Sequence, residues 1–193
     1  ALPAVHGADG LAVVTNNASG SKIDSFLQRA VSYEADYDAG SGEVASTATI
    51  ELHNTAPAQG YPDYVIGNII GLPSGTNRTL LSVYSPLAFS SVSIDGEPVG
   101  ATSETELGWN VYTLTLDLAP GQSRTVTFTF SGTVAAGDYS LVVRPQPLAR
   151  PDSVSISVGG DASVEFEGVV ARSSVLDDTG IGAVPPRTIS DRE

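Results

Sequence analysis

Val31-Ser32-Tyr33-Glu34-Ala35-Asp36-Tyr37, then Asp38-Ala39-Gly40-Ser41-Gly42, then Val44-Ala45-Ser46-Thr47-Ala48-Thr49-Ile50-Glu51-Leu52 decide the fold class. In the first run Val31, Tyr33, Ala35 and Tyr37 alternate with Ser32, Glu34 and Asp36. In the last, Val44, Ser46, Ala48, Ile50 and Leu52 mark one face. Period two sends successive side chains to opposite sides of a strand, so one face is buried and the other wet. The glycine-rich segment between the runs supplies a turn. Two alternating runs about such a turn predict an antiparallel hairpin.

The same pattern recurs downstream. Leu80 to Tyr84 reads as a strand ended by Pro86, and Phe89 to Ile94 runs into the turn pair Asp95-Gly96. Trp109 to Leu118 and Thr125 to Val134 are clear strands, joined by Ala119-Pro120-Gly121-Gln122 with proline at the second turn position. Tyr139 to Val143, Val154 to Val158 and Ala162 to Phe166 complete the set. Arg144-Pro145-Gln146-Pro147-Leu148-Ala149-Arg150-Pro151 has too many prolines for a central strand, and should cross an edge or link sheets. Upstream, Ile23, Phe26 and Leu27 fit one helical turn after a Ser21 cap. Leu11 to Val14 reads as a strand left over from an upstream unit. The expected fold is all-β: an antiparallel, immunoglobulin-like β-sandwich with a short N-terminal helical turn and an extended C-terminal tail. The expected organisation is a leading segment over 1–30, the sandwich over 31–158, and a terminal strand and tail over 159–193. The tail from Arg172, with Asp177-Asp178 and Pro185-Pro186, should be floppy unless this chain or a neighbour holds it.

Composition narrows function by exclusion. In 193 residues there are 22 acidic side chains against 9 Lys and Arg, a net charge of −13. That argues against nucleic acid or an anionic membrane as partner. With 41% hydrophobic and 16% charged residues the chain should fold rather than stay disordered. It has no cysteine, which excludes disulfides and thiol chemistry, and two histidines cannot build a three-histidine zinc site. No apolar run approaches the roughly 18 residues of a membrane span, so no membrane insertion is expected. Lys22 is the only lysine. The first residue is Ala, not Met, which suggests a processed chain or a piece of a longer one. Asn17-Ala18-Ser19 and Asn77-Arg78-Thr79 match the glycosylation tripeptide.

Residues 54–77 form a long connection rich in Pro and Gly around Tyr64-Val65-Ile66 and Ile69-Ile70. Loops of this length are usually functional or ordered excursions. Tyr61, Tyr64, Asn68, Asn77 and Arg78, with Trp109 nearby, form the candidate ligand site, because aromatics stack on sugar rings while Asn and Arg bind hydroxyls and acidic groups. The opposing reading is a loop folded over the sandwich, with Val65, Ile66, Ile69, Ile70 and Leu72 buried. Asp36, Asp38 and Glu43 on the glycine-kinked turn are candidate calcium ligands. They fail an EF-hand template, since Gly40 and Thr47 stand where acids are needed. Asp177-Asp178 carries a weaker signal of the same kind. Glu104 and Glu106 precede Trp109, but residues two apart share one strand face and cannot flank a glycosidic bond. His6 and His53 lack a nucleophile elbow, and His53 reads as a hydrogen-bonded strand-end residue.

Tyr61 to Asn68, Gly71 to Arg78 and Leu81 to Leu87 are distinctive. With Asn16 to Gly20, Lys22 to Asp24, Asp95 to Val99, Glu106 to Tyr112 and Arg144 to Pro147, they make roughly residues 11–158 resemble a known family. It is the C-terminal region of a domain-of-unknown-function family of membrane-anchored actinobacterial surface proteins. The resemblance implies an extracytoplasmic location, an anchor outside this chain and neighbouring surface-polysaccharide genes. It implies no activity and no catalytic residue.

The expected function is therefore non-enzymatic: an extracellular structural or interaction domain of the bacterial cell envelope, displayed at the cell surface. Its partners would be other envelope proteins or copies of itself, through strand or tail exchange. The alternative is a carbohydrate-binding module for envelope polysaccharide. No cofactor is expected other than, in the turn, calcium.

Overall fold

The alternation of Val31 to Leu52 folds as read. In the computed structural model, which describes residues 7–184, Leu27–Tyr37 and Glu43–Asn54 pair antiparallel from Leu27 opposite Asn54 to Tyr37 opposite Val44. In chain order the strands are β1 (Asp9–Asn17), β2 (Leu27–Tyr37), β3 (Glu43–Asn54), β4 (Asn77–Ser85), β5 (Ala88–Ile94), β6 (Glu97–Pro98) and β7 (Thr102–Glu106). There follow β8 (Trp109–Leu118), β9 (Ser123–Thr133), β10 (Leu141–Arg144), β11 (Ser153–Gly160), β12 (Val164–Gly168), β13 (Ser174–Asp177) and β14 (Gly180–Ala183). One α-helical turn, α1 (Asp63–Ile66), and one 3-10 turn, Ile23–Phe26, interrupt them. No described helix is long and apolar enough to cross a membrane.

The strands form two seven-stranded sheets, ordered β14-β13-β10-β1-β4-β8-β7 and β12-β11-β2-β3-β9-β5-β6. Both are mixed. β10 runs parallel to β1, and β11 runs parallel to β2, so the expected purely antiparallel arrangement is corrected. The correction has a topological cause. Residues 134–140, between β9 and β10, and the proline-rich link after Arg144, between β10 and β11, each carry the chain from one sheet to the other. A strand arriving that way can lie beside an early strand in either direction. The prolines of 145–151 thus sit between strands, as their missing donors require.

The inner faces of both sheets meet in one apolar cluster. Leu11, Val13, Leu81, Val83, Leu114 and Leu116 come from the first sheet, and Val31, Tyr33, Ile50, Leu52, Val126 and Phe128 from the second. Phe89 stacks on Tyr112 with ring centroids 5.1 Å apart, and Tyr37 lies 5.0 Å from Tyr139.

Two expectations about the chain ends change. Leu11 to Val14 belongs to β1, which lies inside the first sheet between β10 and β4, so it is not a leftover of another unit. Its burial on both sides of the pleat explains its unbroken apolar run. Of the tail expected to be floppy, β13 pairs with β10 and β14 with β13, so residues 174–183 extend the first sheet. Residues 185–193 lie outside the described residues, as does His6. The helical turn at 23–26 forms, but Lys22 occupies its cap position with no side-chain cap, and Ser21 does not cap it.

Candidate functional site

The connection from β3 to β4 is an ordered excursion built by a few polar anchors. Asn54 is buried at its base. The Asn54 amide donates to the carbonyls of Gly75 and Leu118, both at 2.8 Å, and its Oδ1 accepts from Ala56 N at 3.0 Å. Gly75 closes the loop at φ +80°, where a Cβ would stand 2.5 Å from the Pro57 carbonyl oxygen. Ile66, on α1, is fully buried with Ile23 and Ala56 in a second small core, flanked by Phe26 and Val65. Two backbone bonds tie the excursion to the segment after β1: Lys22 N to Tyr64 O at 3.1 Å, and Ile69 N to Ser19 O at 3.0 Å.

With its base fixed in this way, the tip faces water. Tyr61 is 53% exposed, Tyr64 65%, Ile69 83% and Ile70 40%. The Tyr61 ring meets Phe26 edge-on at 5.5 Å, and the Lys22 ammonium lies 5.9 Å from the Tyr64 ring centroid. Of the five apolar residues expected to bury the loop, Ile66 does so; Val65 and Leu72 are half-buried, and Ile69 and Ile70 point out. Ile69 also packs against Gly20, where a Cβ would stand 3.0 Å from its Cδ1.

The polar residues proposed as sugar ligands are engaged elsewhere. Asn68 shapes its own turn: Oδ1 accepts from Ile70 N and Leu72 N, and Nδ2 donates to Leu72 O at 2.7 Å. Asn77 is buried and donates to Asp24 at 3.1 Å. Arg78 grips Asp117 with two bonds, Nε to Oδ1 at 2.6 Å and a terminal nitrogen to Oδ2 at 2.5 Å. Trp109 is not near the loop. It starts β8, whereas Leu118, opposite Asn77, ends it. At about 3.3 Å per residue that is roughly 30 Å away. Trp109 is buried instead, against Gly10 and Pro86, with the Arg144 guanidinium 5.6 Å from its ring. Tyr61 and Tyr64 thus both stand exposed on this excursion, and Asn68 serves in it as a structural brace. Neither sequon asparagine is free: Asn77 is buried, and the Asn17 side chain bonds Ser19 N and Ser21 O.

Asp36, Asp38 and Glu43, with Asp161, border an open groove of about 610 Å³. Asp38 Oδ1 accepts from the backbone and hydroxyl of Ser41, which holds its carboxyl below the usual range, and Asp161 caps Ala39 N. Asp177 does the same for Thr179 in the β13–β14 turn. No three His, Cys, Asp or Glu side chains among the described residues are placed to hold a metal ion. Glu104 and Glu106 lie on the edge strand β7, and Glu106 accepts from the Tyr84 hydroxyl at 2.9 Å. His53 Nδ1 sits 2.9 Å from Ser123 Oγ across the β3–β9 ladder, and no carboxylate among the described residues hydrogen-bonds its ring.

Two buried polar nodes escaped the sequence reading. Asp9, wholly buried, accepts the hydroxyls of Tyr33 at 2.5 Å and Tyr139 at 2.6 Å and the Gly10 N–H at 2.6 Å. Burial pushes its carboxyl up, against the pull of those donors. Arg29 reaches from β2 to Asp152, Gln146, Thr15 and the Val13 carbonyl. Tyr33 reads as an ordinary strand residue and Arg29 falls in the leading segment before the first strand; only the partners, distant in sequence, mark them.

No protein-family model and no curated protein matches the chain. Solved structures do. A Legionella pneumophila protein assigned provisionally to nutrient binding aligns at 8% identity and TM-score 0.48, over 79% of this chain and 55% of that one. An M1 zinc metallopeptidase of Deinococcus radiodurans aligns at 12% identity and TM-score 0.39, over 78% of this chain and 38% of the peptidase. This chain therefore spans about half or less of the solved structures it resembles.

Proposed function

We propose that this chain is a non-enzymatic interaction domain of the bacterial cell envelope, displayed outside the cell as an immunoglobulin-like sandwich, with the tip of the 61–72 excursion as its contact surface. The observation that carries this reading is the exposure of Tyr61, Tyr64, Ile69 and Ile70 on a loop whose base is pinned by Asn54 and Ile66. A single exposed apolar residue needs no explanation, but four on one short excursion with a pinned base are characteristic of a binding surface. The resemblance of residues 11–158 to actinobacterial surface proteins supports the location. Two sheets around one core, with crossings at 119–122 and 145–152, support the immunoglobulin-like description.

Protein contact fits the tip better than sugar binding. Asn68 is spent on its own turn, Asn77 is buried, Arg78 is paired with Asp117, and the one tryptophan is buried at the far end of the sheet. The test has two parts. In intact cells of the source bacterium, external protease should remove the domain. The purified chain should stay in the supernatant when isolated cell-wall polysaccharide is sedimented, with calcium or with a chelator. Protection from the protease would refute the location. Saturable pelleting that Tyr61→Ala and Tyr64→Ala abolish would replace this reading with a carbohydrate-binding one.

A further inference from the structure

We propose that the occupant of the 61–72 tip is the same tip of a second copy of this chain, related by a two-fold axis. This rests on the reading of the chain as an interaction domain and names its partner.

Three observations converge on it. The first is area. The exposed parts of Tyr61, Tyr64, Ile69 and Ile70 sum to roughly 450 Å² at the sizes usual for such side chains. Two copies would bury at most about 900 Å², just short of the roughly 1,000 Å² of a stable specific interface, so the association is weak and reversible. The second is charge. Beside Tyr64 stand Lys22 and Asp63, both exposed and neither in an ion pair among the described residues. A two-fold axis makes contacts reciprocal, so where Lys22 of one chain meets Asp63 of the other the reverse pair forms as well. One cation and one anion at the rim of one apolar patch are complementary to themselves. The third is rigidity. The tip is held by backbone bonds to Ser19 and Lys22, so little ordering is needed on contact.

The net charge of −13 opposes association of any two copies. Salt screens that repulsion, so the apolar contact should tighten as ionic strength rises.

Sedimentation velocity of the whole chain, from 10 µM to 1 mM in low and in 0.5 M salt, tests the proposal. The expected result is a rapidly exchanging monomer–dimer equilibrium, stronger in high salt. Ile69→Asp should weaken it at least tenfold while circular dichroism stays unchanged, because Ile69 is on the surface. Lys22→Glu and Asp63→Lys should each weaken it, and the double exchange should restore it. A monomer throughout, a dimer indifferent to Ile69→Asp, or open-ended oligomers would each overturn the two-fold contact. So would an Ile69-dependent flotation of a monomeric chain with phosphatidylcholine vesicles, which would make the occupant a lipid surface. A monomer would leave the interaction-domain reading to the protease and polysaccharide tests, so the two can fail separately.

Discussion

Arg29 and Asp152 meet through two bonds, Nε to Oδ1 at 2.9 Å and a terminal nitrogen to Oδ2 at 2.5 Å, with both side chains almost shut off from water. Arg29 belongs to β2 in the second sheet, and Asp152 ends the link arriving from β10 in the first. The same guanidinium also donates to Thr15 and Gln146, while Gln146 donates back to the Thr15 carbonyl. The proline-rich link is therefore docked onto both sheets by one cation.

Removing one partner leaves the other buried without its counter-charge. Arg29→Met should cost about 3–5 kcal/mol in urea unfolding. Asp152→Asn should cost less, since its amide oxygen can still accept one bond. A double exchange to apolar residues should recover part of the loss. Equal, additive losses would mean the pair is not coupled.

Asp9 sets a pH dependence of known sign. Burial raises its carboxyl above 3.8 in the folded chain, although Tyr139, Tyr33 and Gly10 donate to it and pull it down. A raised carboxyl favours the fold when protonated. That contribution is complete below the unfolded value and is lost as pH rises through the folded value. Asp9→Asn removes the titration, so the variant should gain stability relative to the parent as pH climbs from 3.8 upward. Parallel stability profiles would show that Asp9 does not titrate differently in the two states.

Leu107 sits at φ +52° in the β7–β8 turn, followed by Gly108 at φ +82°. Both central positions then have the handedness of a type I′ hairpin turn, as Asp95 and Gly96 do in the β5–β6 turn. Asp tolerates that conformation; a leucine there is strained by about 1 kcal/mol. Leu107 is also exposed and anchors nothing. Leu107→Asn should stabilise by roughly 0.5–1 kcal/mol, visible as a higher Tm.

Trp109 acts as a structural plug. A Cβ on Gly10 would fall 2.4 Å from Trp109 Cη2, so ring and glycine are fitted to each other. Gly10→Ala should force the ring out and destabilise the chain, and Trp109→Ala should cost about 3–5 kcal/mol. Neither should alter any contact made by Tyr61 and Tyr64 at the other end of the sheet. Loss of such a contact with the fold intact would reinstate Trp109 as part of that surface.

Local pattern made the strands legible. Val31 to Leu52, Asp95-Gly96 and Trp109 to Leu118 each carry their own periodicity or turn chemistry, and each fold as read. Pairing direction was not legible, because nothing in Ser153 to Gly160 says that its neighbour is β2 and that they run parallel. The candidate site was half legible. Tyr61 and Tyr64 stood out as aromatics in a loop, and they are exposed. Asn68, Asn77 and Arg78 have the same chemistry as ligands and as braces; only their hydrogen-bond partners separate the two roles. Asp9 and Arg29 gave no signal at all, since a buried charge in a strand is indistinguishable in sequence from one on its wet face.

The two parallel pairings also constrain how the chain is made. β1 is completed by β10, and β2 by β11, so the earliest strands wait for some of the latest. Until Leu141–Arg144 has emerged β1 has one neighbour, and until Ser153–Gly160 has emerged β2 lacks its second. Such long-range closure favours slow folding after synthesis rather than during it. Through roughly the first three quarters of synthesis β1 and β2 therefore each keep one open edge, and those edges are where a growing chain of this design is most exposed to wrong pairing.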